Sequence, residues 1–179
     1  MGCGDGLLAR KLAPLADTVT GVDRSPDMIR LARRDQPANV TFLEADYLDG
    51  TVLGRTLPSE GAYDFVSAVA VVHHAGFEEA VDRLVRLLAP GGRLVIVGLA
   101  RNRTLLDWVI SGCGVPASRL GALLHGGEGG PVGMPIEDAT MSWGEVRQAA
   151  RRLLPGCRFR RRLLWRYTVI WDKPHKSGP

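Results

Sequence analysis

The sequence predicts an α/β fold whose sheet is mostly parallel. Short apolar or β-branched segments alternate with segments that carry apolar residues at helical spacing, which is the order of strands and crossover helices in such folds. The chain also opens on a glycine-rich turn directly before a helical segment. The predicted strands are 18–23, 39–44, 63–70 and 93–99, and the predicted helices are 7–16, 77–89 and a segment that begins at Ser25.

The first elements carry clear boundary signals. Leu7 and Leu12 contribute to an apolar face of the first helix, and β-branched residues dominate the strand 18–23. Ser25 is a good N-cap, and Pro26 suits the first position of the helix that follows.

The middle of the chain continues the alternation. Segment 63–70 is nearly all apolar, which is typical of a parallel strand covered on both faces. Apolar residues recur at helical spacing over 77–89, and 93–99 is again an apolar strand. Residues 46–61 are rich in glycine and polar residues and predict a loop.

Beyond residue 100 the sequence changes character. Residues 113–141 carry many glycines and three prolines without a strong periodic pattern, which is typical of a functional or mobile segment. Ser142 and Glu145 form a capping box that opens another helix. The alternation over 157–172 then predicts an antiparallel hairpin that closes the sheet.

Length, composition and cysteine usage indicate a single globular domain. The chain has 179 residues, of which 45% are hydrophobic and 23% charged, and both fractions are ordinary for such a domain. No apolar run reaches the roughly 18 residues that a membrane helix needs. Cys3, Cys113 and Cys157 are scattered singly, so the sequence predicts no metal site and no disulfide framework, and it favours the reducing cytoplasm.

The basic residues do not favour a nucleic-acid partner. The formal net charge is +4, and one concentration of arginines lies near the C-terminus. It could form a nucleic-acid surface, but aromatic side chains are not clearly interleaved with it, so a solvated helix face and strand edge is the favoured interpretation. These arginines are Arg147, Arg151, Arg152, Arg158, Arg160, Arg161, Arg162 and Arg166.

The opening turn and a nearby acid together indicate a nucleotide-type ligand. Glycines at positions 2, 4 and 6 allow a tight turn from strand to helix and a close approach of a ligand. Asp23 ends the strand-like segment 18–23, where a carboxylate can accept hydrogen bonds from both ribose hydroxyls of an adenosine. The dinucleotide fingerprint G-x-G-x-x-G fails, because Leu7 stands where its third glycine would be.

Three further segments extend this pattern in order. Residues 43–47 (Leu-Glu-Ala-Asp-Tyr) follow a strand-like segment, residues 63–74 form an apolar strand that continues into two histidines, and residues 87–97 place a Pro-Gly-Gly turn between a helix and a strand. With the G-x-G-x-G turn and the strand-end acid, residues 1–99 resemble the class I, Rossmann-like S-adenosylmethionine-dependent methyltransferases. The resemblance is to the small-molecule branch of methyltransferase types 11 and 25.

The resemblance implies a fold, a cofactor and a reaction. The implied fold is a Rossmann-like methyltransferase sheet, mostly parallel with an antiparallel C-terminal hairpin, in one domain over 1–179. Residues 1–99 would bind S-adenosyl-L-methionine, and residues 100–179 would face the substrate and close the sheet. The implied reaction is transfer of a methyl group to an O, N or C atom of a small-molecule acceptor.

The implied cofactor-binding residues cluster near the ends of the predicted strands. The glycine turn would lie under the methionyl and ribose parts of the cofactor. Asp23 would hold the ribose hydroxyls, although it could instead supply a negative charge to the start of the next helix. The full set is Gly2, Cys3, Gly4, Asp5, Gly6, Asp23, Arg24, Met28, Ala45, Asp46, Tyr47 and Val69.

Other members of this set also have alternative interpretations. Asp46 would bind the adenine amine or merely cap the turn that follows, and Tyr47 would pack on the adenine ring. Arg24 and Met28 would flank the adenine, although core packing explains Met28 equally well. Val69 would line the methionine part, but from the sequence alone it could be a core valine.

His73 and His74 are the candidates for a general base. They follow the apolar strand 63–70, and the pKa of an imidazole suits proton abstraction near neutral pH. They could instead orient the loop after the strand, or one could be a buried, hydrogen-bonded histidine. Methyl transfer from a sulfonium is an in-line displacement that needs a base only when the acceptor must lose a proton.

The sequence begins at the glycine turn, so the strand expected before the turn is missing. In the family this first strand is central to the sheet, and its loss would leave unpaired backbone groups on both neighbouring strands. A misassigned start, a fragment, or closure of the neighbouring strands could each account for it. We expect the 179-residue form to bind S-adenosylmethionine weakly or not at all and to be poorly soluble.

Three other functions compete with a methyltransferase of small molecules. The missing strand favours a non-catalytic remnant or a regulatory module that keeps the fold. An NAD-type oxidoreductase is disfavoured by Leu7. An RNA methyltransferase would require the C-terminal arginines to bind polyanions in a strongly salt-dependent manner.

Overall fold

The computed structural model describes residues 1–49, 60–72, 76–101, 141–162 and 166–175. Strands and helices alternate along the first part of the chain, and a helix and two strands follow near its end. The strands are β1 (Val19–Asp23), β2 (Val40–Glu44), β3 (Tyr63–Val69), β4 (Leu88–Leu99), β5 (Arg158–Arg161) and β6 (Arg166–Asp172), and the helices are α1 (Leu7–Leu12), α2 (Pro26–Ala32), α3 (Phe77–Leu87) and α4 (Trp143–Leu153).

These strands form two sheets. β1 pairs in parallel with β2, from Val19 beside Val40 to Asp23 beside Glu44. β3 pairs in parallel with β4, and β6 and β5 continue that sheet in antiparallel directions, in the order β3-β4-β6-β5. The predicted α/β fold with an antiparallel C-terminal hairpin is therefore confirmed.

Helices cover the two sheets around separate apolar clusters. α1 and α2 pack on β1 and β2, where the buried side chains include Ile29 and Phe42. α3 and α4 pack on the larger sheet, with Leu84, Ile96 and Val146 in its core. These clusters hold the carboxyl ends of β1, β2 and β3 in place, and the candidate site lies at those ends.

Two element boundaries differ from the predicted ones. The predicted helix 7–16 is α1 followed by a 3-10 turn over Ala13–Leu15, because Pro14 has no N–H for an α-helical hydrogen bond. β4 begins at Leu88, ahead of the predicted strand 93–99, because Leu88 already pairs with Tyr63 before a shift in register.

The predicted capping box fixes the start of α4. The Ser142 N–H donates to Glu145 Oε2 at 2.8 Å, and the Glu145 N–H donates to Ser142 Oγ at 3.4 Å. Trp143, the first residue of the helix, is buried, and the Arg161 guanidinium lies 4.1 Å from its ring centroid. This contact ties α4 to β5.

No strand of the described residues lies between β1 and β3. The first three residues of the chain lie at the carboxyl end of this gap. The Met1 α-amino group donates to the Ser67 carbonyl on β3 at 2.7 Å, and the Cys3 N–H donates to the Val22 carbonyl on β1 at 2.9 Å. Residues 1–3 therefore bridge the two sheets with hydrogen bonds like those of a strand.

Candidate functional site

The glycine turn leads from the carboxyl end of the gap into α1. Gly2, Gly4 and Gly6 have φ angles of 64°, 53° and 82°, in the left-handed region that favours glycine. A Cβ on Gly2 would overlap Val71, and a Cβ on Gly6 would lie 2.6 Å from Phe42 Cζ. Close packing therefore excludes side chains at both ends of the turn.

Hydrogen bonds within the turn fix the direction of its backbone groups. The Gly6 N–H donates to the Cys3 carbonyl at 3.0 Å, and the Arg10 guanidinium donates to the Asp5 carbonyl at 2.8 Å. Asp5 Oδ1 accepts from the Leu7 N–H at 3.1 Å, at the start of α1. Asp5 thus caps a free helical N–H, a structural role in addition to its place in the turn.

Asp23 joins the glycine turn to the start of α2. Its Oδ2 accepts from the Gly4 N–H at 2.8 Å, and its Oδ1 accepts from the Ser25 N–H at 3.0 Å. The side chain is half-buried, and each carboxylate oxygen has the capacity for a further hydrogen bond. This geometry fits both interpretations of Asp23. The carboxylate is hydrogen-bonded at the start of α2, where its charge favours the helix, and it can still accept hydrogen bonds from a ribose diol.

The segment after β2 reaches the same edge of the structure. The Ala45 N–H donates to the Asp23 carbonyl at 3.0 Å, so this segment continues alongside β1. Asp46 is exposed, and its Oδ1 accepts from the Leu48 N–H at 2.9 Å. This hydrogen bond is the one expected if Asp46 caps the turn that follows it. The described residues give Asp46 Oδ2 no hydrogen-bond partner, so that oxygen is available to a ligand.

Tyr47 lies inward of this edge, in the larger core cluster. It is only 7% exposed, and its hydroxyl is buried without a hydrogen-bond partner among the described residues. Burial, and next the Asp46 carboxylate, raise the pKa of Tyr47 to about 12, so the hydroxyl is neutral at physiological pH. A buried donor of this kind is a group that a bound ligand can satisfy.

The end of β3 is strained where it meets the glycine turn. Ala70 has a φ of 55°, which is costly for a residue with a Cβ, and its N–H donates to the Val97 carbonyl at 2.7 Å. Val71 packs against Gly2. Val69 is 39% exposed, which does not fit the alternative interpretation of Val69 as a core residue. Strain of this kind concentrates at functional sites, and alanine gives no sequence signal of it.

The remaining predicted residues lie near the start of α2 or outside the described chain. Arg24 is exposed and Met28 is half-buried, and the Met28 N–H donates to Ser25 Oγ at 3.4 Å. His73 and His74, the predicted general-base candidates, lie outside the described residues. Within the described ranges, no group of three or more His, Cys, Asp or Glu residues could hold a metal ion.

Cys3 is expected to react slowly with alkylating reagents. Burial, and next the Asp23 carboxylate, raise the pKa of Cys3 to about 11, so the thiol stays protonated well above neutral pH. We expect iodoacetamide to modify Cys3 of the folded chain very slowly near neutral pH and faster as the pH rises toward that pKa. Mass spectrometry of the peptide that contains Cys3 measures the rate.

The same reaction in urea is the control for Cys3. Unfolding should return the pKa of the thiol to about 8.5 and accelerate the alkylation at a given pH. Equal rates for the folded and the unfolded chain would contradict the buried environment of Cys3.

The residues present fit S-adenosylmethionine at this edge. The carboxyl ends of β1, β2 and β3 meet here, and open α/β sheets bind ligands at the carboxyl ends of their strands. Asp23 has acceptor capacity for a ribose diol, the glycine turn presents backbone without side chains, and Tyr47 has an unpartnered hydroxyl among the described residues.

Comparison with known proteins agrees with this geometry. Residues 1–96 match the family described as "Methyltransferase domain". The chain is 34% identical over 181 residues to an uncharacterized methyltransferase of Mycobacterium tuberculosis, and the match covers 97% of this chain and 85% of that protein. A demethylmenaquinone methyltransferase of Thermus thermophilus is 40% identical over 98 residues, which cover 54% of this chain and 43% of that protein.

A solved structure also shares the fold. An S-adenosylmethionine-dependent methyltransferase from Methanosarcina mazei superposes with a TM-score of 0.61 at 17% identity, over 98% of this chain and 91% of that one. The chain belongs to the methyltransferase domain family, and its fold is that of the class I, S-adenosylmethionine-dependent members. The predicted family and fold class are thereby confirmed.

Proposed function

We propose that this chain transfers a methyl group from S-adenosyl-L-methionine to an O, N or C atom of a small-molecule acceptor. The observation that carries the proposal is the pair of hydrogen bonds that Asp23 accepts from Gly4 and Ser25, because they join the acid to the glycine turn at the strand ends. Support for a small acceptor comes from the T. thermophilus relative, which is named a demethylmenaquinone methyltransferase.

In this proposal the chain mainly positions two molecules. Asp23 accepts from the ribose hydroxyls, Asp46 accepts from the adenine amine, and the backbone of the glycine turn lies against the methionyl part. S-adenosylmethionine supplies a methyl group on a positively charged sulfur. The protein orients donor and acceptor and excludes water. His73 and His74 are proposed bases for acceptors that must lose a proton.

A second function is favoured by the gap between β1 and β3. Both strands have one edge without a partner strand among the described residues, and the glycine turn begins in this gap. A turn between two unpaired strand edges has fewer hydrogen bonds to hold it than a turn between paired strands. The second candidate is therefore a methyltransferase fold that acts as a non-catalytic remnant or a regulatory module.

Two further parts of the proposal concern partners and location. We propose a small-molecule acceptor rather than a nucleic acid, and a location in the cytoplasm, where the half-buried free thiols Cys3 and Cys157 would stay reduced. Within the described ranges, no helix combines the length and apolar character needed to cross a membrane.

Calorimetry and a transfer assay test the proposal together. S-adenosylmethionine and S-adenosylhomocysteine are titrated into the chain, and labelled methyl transfer is then measured with quinols, catechols and amines as acceptors. Saturable binding with transfer supports the proposed enzyme. Binding without transfer to any of these acceptors favours the non-catalytic module. Absence of binding contradicts cofactor use by the 179-residue form and agrees with the weak binding that the sequence analysis expects of it.

A further inference from the structure

The C-terminal arginines have different surroundings in the structure. Three of them contact an acid or an aromatic ring, and these are Arg152, Arg158 and Arg161. Two others are exposed on α4. The remaining three are exposed in or directly beside the strands of the hairpin of β5 and β6, and we name them the hairpin arginines: Arg160, Arg162 and Arg166.

The hairpin arginines share one face of the larger sheet. Arg160 pairs with Thr168, and the Arg162 N–H donates to the Arg166 carbonyl at 2.7 Å. Residues directly opposite each other on neighbouring strands direct their side chains to the same face, and so do alternate residues of one strand. Tyr167, between Arg166 and Thr168, is buried in the core on the opposite face, which α3 and α4 cover.

This cluster lies at the carboxyl end of β3 and β4. Arg166 pairs with Leu99, the last residue of β4, and Val97 of β4 pairs with Val69, the last residue of β3. Because neighbouring strands lie about 4.8 Å apart, two strand spacings place Arg166 roughly 10 Å from the end of β3. Val69 belongs to the candidate cofactor site and faces the same side of the sheet. The hairpin arginines therefore lie within the length of one small molecule from that site.

No acid among the described residues balances the charges of the hairpin arginines. At the other end of β6 the charges are balanced, because Asp172 Oδ1 accepts from Arg93 at 2.6 Å and Asp172 Oδ2 lies 4.0 Å from Arg158. Like charges directly opposite each other in a sheet are destabilising, and Arg162 and Arg166 have that arrangement. A bound anion would relieve their repulsion.

The chemistry of the cluster selects carboxylates and phosphates. A guanidinium group donates two parallel hydrogen bonds to either anion, so three exposed guanidinium groups suit a group with several oxygen atoms. The aromatic side chains of the described hairpin belong to the opposite face, where Phe159 and Tyr167 stack with ring centroids 5.7 Å apart. Since nucleobases bind by stacking on such rings, this arrangement favours a small anion over a nucleic acid.

We propose that Arg160, Arg162 and Arg166 bind a carboxylate or phosphate group of the methyl acceptor. The assignment of the anion to the acceptor rests on the proposed methyl transfer, whereas the anion site itself does not. In the transfer, the lone pair of the acceptor atom forms the new bond to the methyl carbon, and the sulfonium sulfur keeps the electrons of the broken bond. The anionic group positions the acceptor and is unchanged by the reaction.

Calorimetry on the 179-residue chain without cofactor tests the anion site. Inorganic pyrophosphate and citrate are the probes, titrated at constant ionic strength, and the tighter of the two distinguishes a phosphate site from a carboxylate site. Saturable binding is expected, and Arg166→Gln should weaken it by about tenfold or more. Arg147→Gln, an exposed position on α4, is the matched control and should bind like the parent. Absence of binding, or equal affinities of the two variants, would overturn the proposal.

Urea unfolding separates a binding role of Arg166 from a structural one. Arg166→Gln removes one of two like charges that lie opposite each other, so it should leave the stability unchanged or raise it slightly. Pyrophosphate should raise the urea midpoint of the parent chain and have less effect on the variant, because a ligand stabilises the folded state that binds it. A marked loss of stability in Arg166→Gln without pyrophosphate would contradict the unbalanced charge of the cluster.

A matched pair of ligands tests whether the anion belongs to the acceptor. Protocatechuate, a catechol with a carboxylate, should bind about tenfold more tightly than its neutral amide, and pyrophosphate should displace it. Equal binding of acid and amide, or methyl transfer to both with equal kcat/KM, would overturn this inference and leave the proposed function standing. Anion binding by a chain that does not bind S-adenosylmethionine would have the reverse meaning.

Single-stranded RNA is the competitor that distinguishes a small anion from a polyanion. It should not displace pyrophosphate at physiological ionic strength. Displacement with an affinity that falls steeply as the salt concentration rises would assign the hairpin arginines to a nucleic acid and would overturn the proposal.

Discussion

Replacing Gly6 with alanine is expected to destabilise the chain by about 2–5 kcal/mol and to disrupt the cofactor turn. Gly6 has a φ of 82°, a backbone conformation that costs an L-residue about 1–2 kcal/mol. The new Cβ would also lie 2.6 Å from Phe42 Cζ and 3.0 Å from Ala32 Cβ, and such overpacking typically costs about 1–3 kcal/mol more. Urea unfolding followed by circular dichroism measures the loss.

Gly144→Ala is the matched control for this substitution. Gly144 lies in α4, and beyond its chain neighbours and the backbone of its own helix no described heavy atom lies within 4 Å of the position that a Cβ would take. Because Gly144 is only the second residue of α4, alanine should leave the stability unchanged or raise it by less than about 1 kcal/mol. The double variant Gly6→Ala with Phe42→Leu replaces the aromatic ring by a smaller aliphatic side chain and so separates packing from backbone strain. Parental stability of Gly6→Ala would show that the turn does not have this conformation.

The order of elements could be predicted because its signals are local. The predicted strands 18–23 and 39–44 correspond to β1 and β2 within one residue, and the Ser142 capping box does open α4. β-branched runs, helical spacing and caps act over a few residues, so they can be recognised without the tertiary structure. The same holds for the left-handed glycines of the opening turn.

Features that depend on distant contacts could not be predicted. The family resemblance implies that Tyr47 packs on an adenine ring, but whether its side chain faces inward depends on packing in the cluster that includes α3. The left-handed φ of Ala70 accompanies a hydrogen bond to Val97 on β4, far along the chain. The contact between Met1 and Ser67 likewise spans most of the first half of the protein.

Replacing Asp23 with asparagine is expected to weaken S-adenosylmethionine binding by about 10- to 100-fold. A hydrogen bond to a charged group contributes about 1.5–3 kcal/mol, and the amide has only one oxygen where the carboxylate has two. Its NH2 group would face the N–H of either Gly4 or Ser25, so the variant should also lose about 1–3 kcal/mol of folding stability. Calorimetry measures the affinity, and urea unfolding measures the stability.

Asp27→Asn is the control variant. It separates the general effect of removing one negative charge from the specific effect of replacing Asp23. Asp27 is exposed on α2 and pairs with Arg30 at the surface, so its replacement should cost less than about 1 kcal/mol and leave the affinity unchanged. If Asp23→Asn lowers the stability but binds the cofactor like the parent, Asp23 is only a brace between the glycine turn and α2. A loss of affinity measured where the variant is still fully folded instead assigns the ribose hydroxyls to its carboxylate, because a brace alone would lower only the stability.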